Sequence, residues 1–150
     1  MSLSEKLAED LQTALKAGDT VRRTTIGMLR STIHNKEIEK GKKDEGLSDE
    51  EIIGLLMAES KKRREAMEEY KRAGRSEQAA QEEAELAIIQ SYLPAQLSDT
   101  EIASELRAIL DELGTRHKAD FGRIMKVATE RMRGRTEGSR IKSELDKLLS

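Results

Sequence analysis

The sequence contains no cysteine, no tryptophan, a single proline (Pro94) and only three aromatic side chains, Tyr70, Tyr92 and Phe121. Each shortage excludes something. Without cysteine there are no disulfides, no thiol nucleophile and no thiolate metal ligands, and a reducing compartment is the natural setting. With so few aromatics, single-stranded nucleic acid cannot be held by successive base stacking. No apolar run approaches the ~20 residues of a membrane span, and the N-terminal MSLSEKLAED has no apolar signal core, so a cytoplasmic location without a membrane partner is expected.

Histidine is equally scarce. His34 and His117 are the only two, neither with a second histidine at helical spacing, so no zinc site is expected. Neither stands in a recognisable nucleophile–base arrangement. Carboxylates are abundant and often adjacent, as in Glu50-Glu51, Glu68-Glu69 and Glu82-Glu83. Neighbours on a helix point about 100° apart, so such pairs cap or solvate a helix and do not converge on a substrate. No glycine pattern of the Walker or dinucleotide type is present, and Gly122, Gly134 and Gly138 do not follow a strand. No catalytic residue, cofactor or small-molecule substrate is therefore expected.

What is present is helix. Charged residues make up 37% of the chain, well above the usual quarter, and Ala, Leu, Glu, Lys and Arg dominate. The apolar residues recur with helical period, which argues against disorder. Leu3, Leu7, Leu11 and Leu15 form one stripe, closed by Gly18, with Asp19 as cap of the next helix. Val21, Thr25, Met28, Leu29, Thr32 and Ile33 form the second stripe. The charged, glycine-bearing stretch 39–49 reads as a loop. Ser48 and Glu51 then make a capping box ahead of a third helix with its stripe at Ile53, Leu56, Met57, Ser60, Met67 and Tyr70, ended by Gly74. The interior KKRREAMEEYKR reads mostly as a solvated face of opposite charges at helical spacing. A fourth helix, capped by Ser76, runs to about Leu93.

Pro94 cannot continue that helix and disfavours helical geometry at Leu93. Beyond it the expected helices are shorter. Ser98 and Glu101 form a second capping box before Ile102, Leu106, Ile109, Leu110 and Leu113, with Gly114 as the stop. Asp120 and Thr136 are the expected caps of the last two helices, whose stripes are Phe121, Ile124, Met125, Ala128 and Met132, and Ile141, Leu145, Leu148 and Leu149. No segment alternates with the period of a strand. The expected fold is all-α: an N-terminal domain of about four helices over 1–94 and a small three-helix domain over 95–150.

Charge is distributed unevenly. From Thr115 to Lys142 there are nine basic and three acidic residues, a net of +6 in a chain of net −2. Such a segment attracts phosphate, and arginine grips it geometrically as well as electrostatically. The candidate contacts are Arg123, Lys126, Arg131, Arg133, Arg135, Arg140 and Lys142, with the backbone amides at the start of the last helix as a further anion donor. Because aromatics are lacking, the expected nucleic acid is a folded RNA or duplex met through backbone and shape.

Three segments also resemble a known family. GRIMKVATERMRGRTEGSRIKSELDKLL (Gly122 to Leu149), IGMLRSTIHNKEIEK (Ile26 to Lys40) and IIQSYLPAQLSDTEI (Ile88 to Ile102) are similar, in order and spacing, to the YqeY-like proteins of the GatB/YqeY family. The resemblance implies a helical N-terminal domain and a three-helix C-terminal domain. The latter is similar to the tail domain of the GatB component of the tRNA-dependent amidotransferase, which contacts tRNA. Carbon–nitrogen ligase activity with glutamine as amido donor would come to this chain only by family membership, since nothing here resembles the catalytic parts of that enzyme. The resemblance thus implies a non-catalytic accessory protein that binds tRNA or another folded RNA. A protein–protein adaptor docking on an amidotransferase or synthetase complex is the alternative.

Overall fold

The computed structural model describes residues 1–150. The chain is all-α, with seven α-helices, one 3-10 turn and no strand. It divides into two compact units, Met1–Leu93 and Pro94–Ser150.

The first unit holds α1 (Leu3–Ala17), α2 (Thr20–Glu39), α3 (Asp49–Arg72) and α4 (Ser76–Gln90). Ser2 caps α1 through its side chain, and Gly18, at φ 67°, turns the chain out of the helix in the left-handed conformation that only glycine adopts cheaply. Asp19 then caps α2, accepting from the Arg22 amide at 3.1 Å, so a two-residue link reverses the chain. The capping box at Ser48 and Glu51 is present at the start of α3. It also gathers Lys40 (2.9 Å) and Lys42 (3.2 Å), and these bonds, with that from the Ser48 amide, hold the Glu51 carboxyl down at about 2.

The core of this unit is Leu7, Ile26, Leu29, Ile33, Ile52, Leu56, Ile88, Ile89 and Tyr92. It departs from the expected stripes in instructive ways. Leu15 is 46% exposed, while Ala14 is buried. A four-residue repeat overshoots each turn, so by its third step from Leu3 the stripe has drifted about 120° away from the core. Ala14, seven residues after Leu7, drifts by only about 20°. In α3 the fully buried isoleucine is Ile52 rather than Ile53, and Glu59 lies inside beside Ser60.

The face of α3 expected to be mostly solvated is so at Lys61, Lys62, Glu65, Glu68, Glu69, Lys71 and Arg72, but not at Arg63. Arg63 is only a quarter exposed and lies among Glu59, Glu82 and Glu85 at 3.9, 3.5 and 3.3 Å, joining α3 to α4. An arginine stem packs along apolar surface while its guanidinium finds carboxylates, which sequence periodicity does not register. Ser76 is the first residue of α4 and does not cap it; the preceding residue is Arg75, which makes no side-chain cap. The helix ends at Gln90, four residues before Pro94, whose ring would meet the carbonyl of that residue if the helix continued.

Tyr92, just past α4, reaches back to α1. Its hydroxyl donates to Asp10 Oδ2 at 2.5 Å, and Lys6 sits 5.9 Å from the ring centroid while pairing with Asp10 at 3.3 Å.

The second unit holds α5 (Asp99–Leu113), a 3-10 turn at Lys118–Asp120, α6 (Phe121–Arg131) and α7 (Gly138–Leu148). Its core is Leu97, Ile102, Leu106, Ile109, Leu110, Ile124, Ala128, Met132, Ile141, Leu145 and Leu149. The Ser98–Glu101 capping box opens α5 and Gly114, at φ 68°, closes it. Asp120 and Thr136 do not act as side-chain caps. Asp120 instead accepts from Thr115 Oγ1 at 2.5 Å, which ties the 3-10 turn to the end of α5. Thr136 is buried, and its hydroxyl makes no hydrogen bond.

Two outcomes follow for stability. The bond from Tyr92 holds the Asp10 carboxyl below its ordinary value of 3.8, while burial and then Asp10 push the Tyr92 hydroxyl upward. Tyr92→Phe is expected to cost about 1–2 kcal/mol at neutral pH, as for a bond to a partly exposed charge. Asp10's contribution is complete above the ordinary carboxylate value and is lost as pH falls through its folded value. Tyr92's contribution is present below the ordinary tyrosine value and is lost as pH rises through the raised one. The difference between the variant and the parent, measured by denaturant unfolding across pH, should therefore shrink on both the acid and the alkaline limb. Thr136→Val, which replaces an unpartnered buried hydroxyl by a methyl of similar size, should leave the melting temperature unchanged or raise it.

Candidate nucleic-acid interface

The basic segment is carried by α6, the turn after it and the first turn of α7. In α6 the inward face is Ile124 and Ala128, flanked by half-buried Phe121, Met125 and Val127, which leaves Arg123, Lys126 and Arg131 outside. The turn is built around Met132 and Gly134. Met132 is fully buried and anchors the end of α6. Gly134 is buried at φ 78°, and the Arg135 amide donates back to Met132 O at 3.0 Å.

A strap formed by residues 94–98 holds this turn. The Leu97 amide donates to Arg135 O at 2.8 Å. Gln96 uses its side-chain amide twice, donating to Gly134 O at 2.9 Å and to Pro94 O at 2.8 Å. Two segments far apart in sequence, LPAQLS and MRGRT, are thus one local structure. Gln96 was not among the sequence-derived site residues, because its role exists only once the turn is folded against it.

The arginines and lysines are not equivalent. Arg123 stands at the start of α6, about 12 Å along the helix axis from Arg131, and lies 3.8 Å from Asp120. Arg131 pairs with Glu112 of α5, whose carboxyl that bond pulls below the usual range. Arg140 pairs with Asp99 at 2.7 Å, and Arg116, in the loop after α5, pairs with Asp111 at 2.9 Å. Arg133 is exposed in the turn and Arg135 half-exposed beside it, within the field of Glu101. Lys126 and Lys142 are exposed and carry no ion pair.

The +6 of the linear segment is consequently not the charge of a surface. Acids of α5 that lie outside the segment in sequence fold against it, and residues 95–150 together carry 11 basic and 10 acidic side chains. Exposed ion pairs of this kind contribute little to stability, about 0–1 kcal/mol each, so a stronger anion can replace the carboxylate without unfolding the unit. The exposed cations of the segment gather at the turn and on the two lysines that flank it.

His34 and His117 are exposed, the first on α2 and the second at the 3-10 turn. Glu82 faces Arg63 while its neighbour Glu83 faces solvent, so that adjacent pair diverges as helical geometry requires. No three His, Asp or Glu side chains are grouped so as to hold a metal ion, and no helix is long and apolar enough to cross a membrane.

Comparison with known proteins places the chain. The family described as "Yqey-like protein" matches residues 4–149. Among curated relatives, the "Altered inheritance of mitochondria protein 41, mitochondrial" of Lachancea thermotolerans is 37% identical over 110 residues, 71% of this chain and 57% of its own length. The proteins of the same name from Eremothecium gossypii (34% over 116 residues, 75% of this chain and 62% of theirs) and Vanderwaltozyma polyspora (32% over 115 residues, 73% and 61%) are similar. The chain spans about three-fifths of the length of these relatives. Their mitochondrial designation overturns the expected cytoplasmic location, which had rested on the absence of an apolar signal core and of a membrane-length apolar run. By the near-complete match over residues 4–149, the chain belongs to the YqeY-like family.

Proposed function

We propose that this protein is a non-catalytic accessory factor that binds tRNA or another folded RNA through its C-terminal module, residues 95–150, which follows an N-terminal helical domain, residues 1–94. The observation that carries the reading is the turn between α6 and α7. Arg133 and Arg135 project from a backbone pinned by Gln96 and Leu97, and Lys126 and Lys142 stand without ion pairs on the two helices it joins. A pinned turn with long cationic side chains suits phosphates at the spacing of a folded backbone. Arg131 and Arg140 join when their carboxylates are displaced, and Arg123 contributes last because it lies at the far end of α6. The likeness of Gly122–Leu149 to a tRNA-contacting amidotransferase tail supports the same reading. Any part in glutamine-dependent amide transfer would be that of a partner complex.

The test is binding of the full chain to total tRNA, by fluorescence anisotropy, between roughly 50 and 200 mM salt. Affinity is expected to fall steeply with salt. Lys126→Glu with Lys142→Glu, and separately Arg133→Glu with Arg135→Glu, should each weaken binding about tenfold or more and lower the salt slope by about two. Gln96→Ala should weaken binding less, with a small loss of stability of about 1 kcal/mol, because it loosens the turn without removing charge. Binding unchanged in both charge-reversal variants would remove the turn from the site. Nuclease-resistant association with a protein complex, without RNA affinity, would favour the adaptor reading.

A further inference from the structure

We propose that the acidic side chains of α5 are an autoinhibitory guard on the basic segment, holding Arg131 and Arg140 until an extended phosphate backbone displaces them. The proposal rests on the reading that the C-terminal module binds an RNA backbone, and it adds how that surface is controlled. α5 packs against both α6 and α7. It carries five acids, Asp99, Glu101, Glu105, Asp111 and Glu112, against one base, Arg107. These are half of the 10 acids in residues 95–150.

The acids reach both helices of the segment. Glu112, near the C-terminal end of α5, holds Arg131 at the end of α6. Asp99, the first residue of α5, accepts from Arg140 in the first turn of α7 at 2.7 Å. Asp111 takes Arg116 of the loop after α5 at 2.9 Å. Asp99 and Glu112 lie near opposite ends of one helix, about 20 Å apart along its axis. A small anion can therefore release one of the two arginines but not both. A nucleic-acid backbone, with a charge every few ångströms, can release both.

Helix physics does not call for acids at the end of α5. Unsatisfied carbonyls make that end of a helix negative, so carboxylates there are unfavourable and cations favourable. α1, α3, α6 and α7 each carry a basic residue in the last turn, and α5 carries none. Asp111 and Glu112 occupy that turn instead, and both are exposed. The ion pairs they make lie at the surface, where such pairs add little to stability. The gain is further offset by the helix dipole. What Glu112 provides is neutralisation of Arg131. Asp99 lies in the first turn, where an acid is favoured, and its bond to Arg140 comes in addition.

Exposure makes the guard reversible. Arg131, Glu112 and Asp99 are exposed and Arg140 is half-exposed, so each pair can open without disturbing the core. The bond from Arg131 holds the Glu112 carboxyl below its ordinary range, which keeps it charged at neutral pH. An arginine bonds a phosphate in the same forked manner as a carboxylate, so the exchange of one for the other is nearly even. The surplus comes from counterions that an RNA backbone releases on binding. An isolated carboxylate or small anion brings no such surplus and leaves the arginines paired. Lys126 and Lys142, which carry no ion pair, make the first contact, and the two arginines follow.

The experiment uses the full chain and measures binding of total tRNA, and separately of long-chain inorganic polyphosphate, by titration calorimetry. Glu112→Gln and Asp99→Asn are each expected to tighten both about three- to fivefold, the strength of an exposed ion pair, and to steepen the salt dependence. Glu112→Gln should keep the parent's melting temperature. Its gain should vanish beside Arg131→Gln, because the guard acts through that arginine. Glu130→Gln removes the same charge from the exposed neighbour of Arg131 in sequence and should gain less. In the parent, the Glu112 carboxyl followed by carbon NMR should move up toward its ordinary value when either probe binds. Unchanged or weaker binding in the two variants, an equal gain from Glu130→Gln, or a gain that persists beside Arg131→Gln would overturn the guard. If polyphosphate follows the expected pattern and tRNA does not bind, the guard stands and the RNA reading falls. If tRNA binds and the variants match the parent, the RNA reading stands and the guard falls. Failure of both probes to bind parent and variants overturns both.

Discussion

A sequence dominated by strong helix formers depends on where its helices stop. Apart from their glycines, the stretches 60–90 and 105–135 hold little that would end a helix, and fusion across either would leave no chain to fold back. The stops are single residues. Gly18, Gly74 and Gly114 take left-handed geometry directly after or within two residues of α1, α3 and α5, and Gly134 does so in the turn after α6. An L side chain there would be strained, and the reversal that lets each helix bury its stripe against the next would be resisted. Pro94 bars the continuation of α4 by a different route, through its ring and missing amide.

Once the reversals are set, charge decides much of the pairing. Arg63 is shared among three glutamates from α3 and α4. Glu51 closes a capping box and holds two lysines of the preceding loop. Acids of α5 take up Arg131 and Arg140 from the segment that follows. With so few aromatic side chains, apolar area alone specifies these contacts weakly, and complementary charge narrows the choice of partner helix and register. The same pairing bears on function, because a cation already bound to a carboxylate is a weaker attractant than an unpaired one.

The turn after α6 is polar, pinned at its backbone and cationic at its tips. The mitochondrial relatives, longer than this chain, carry further sequence outside the matched region.

The sequence by itself determined the helices and their ends, because capping boxes, left-handed glycines and proline act within a few residues of where they stand. The boxes at Ser48 and Ser98, the stops at Gly18 and Gly114 and the end of α4 ahead of Pro94 were all legible. So was the all-α class, and so was the family, through motifs long enough to be specific. Tertiary structure alone decided which members of a stripe face inward, since Leu15 and Ala14, or Ile52 and Ile53, differ only in angular offsets whose outcome depends on the neighbouring helix. It alone decided that Arg63 is half-buried between α3 and α4 and that Thr136 is a buried side chain instead of a cap. It decided, too, that a +6 segment is folded against acids from another helix and that Gln96 pins the turn beneath Arg133 and Arg135. Those are contacts between residues distant in sequence, and their energies depend on distance and burial, which a linear pattern does not contain.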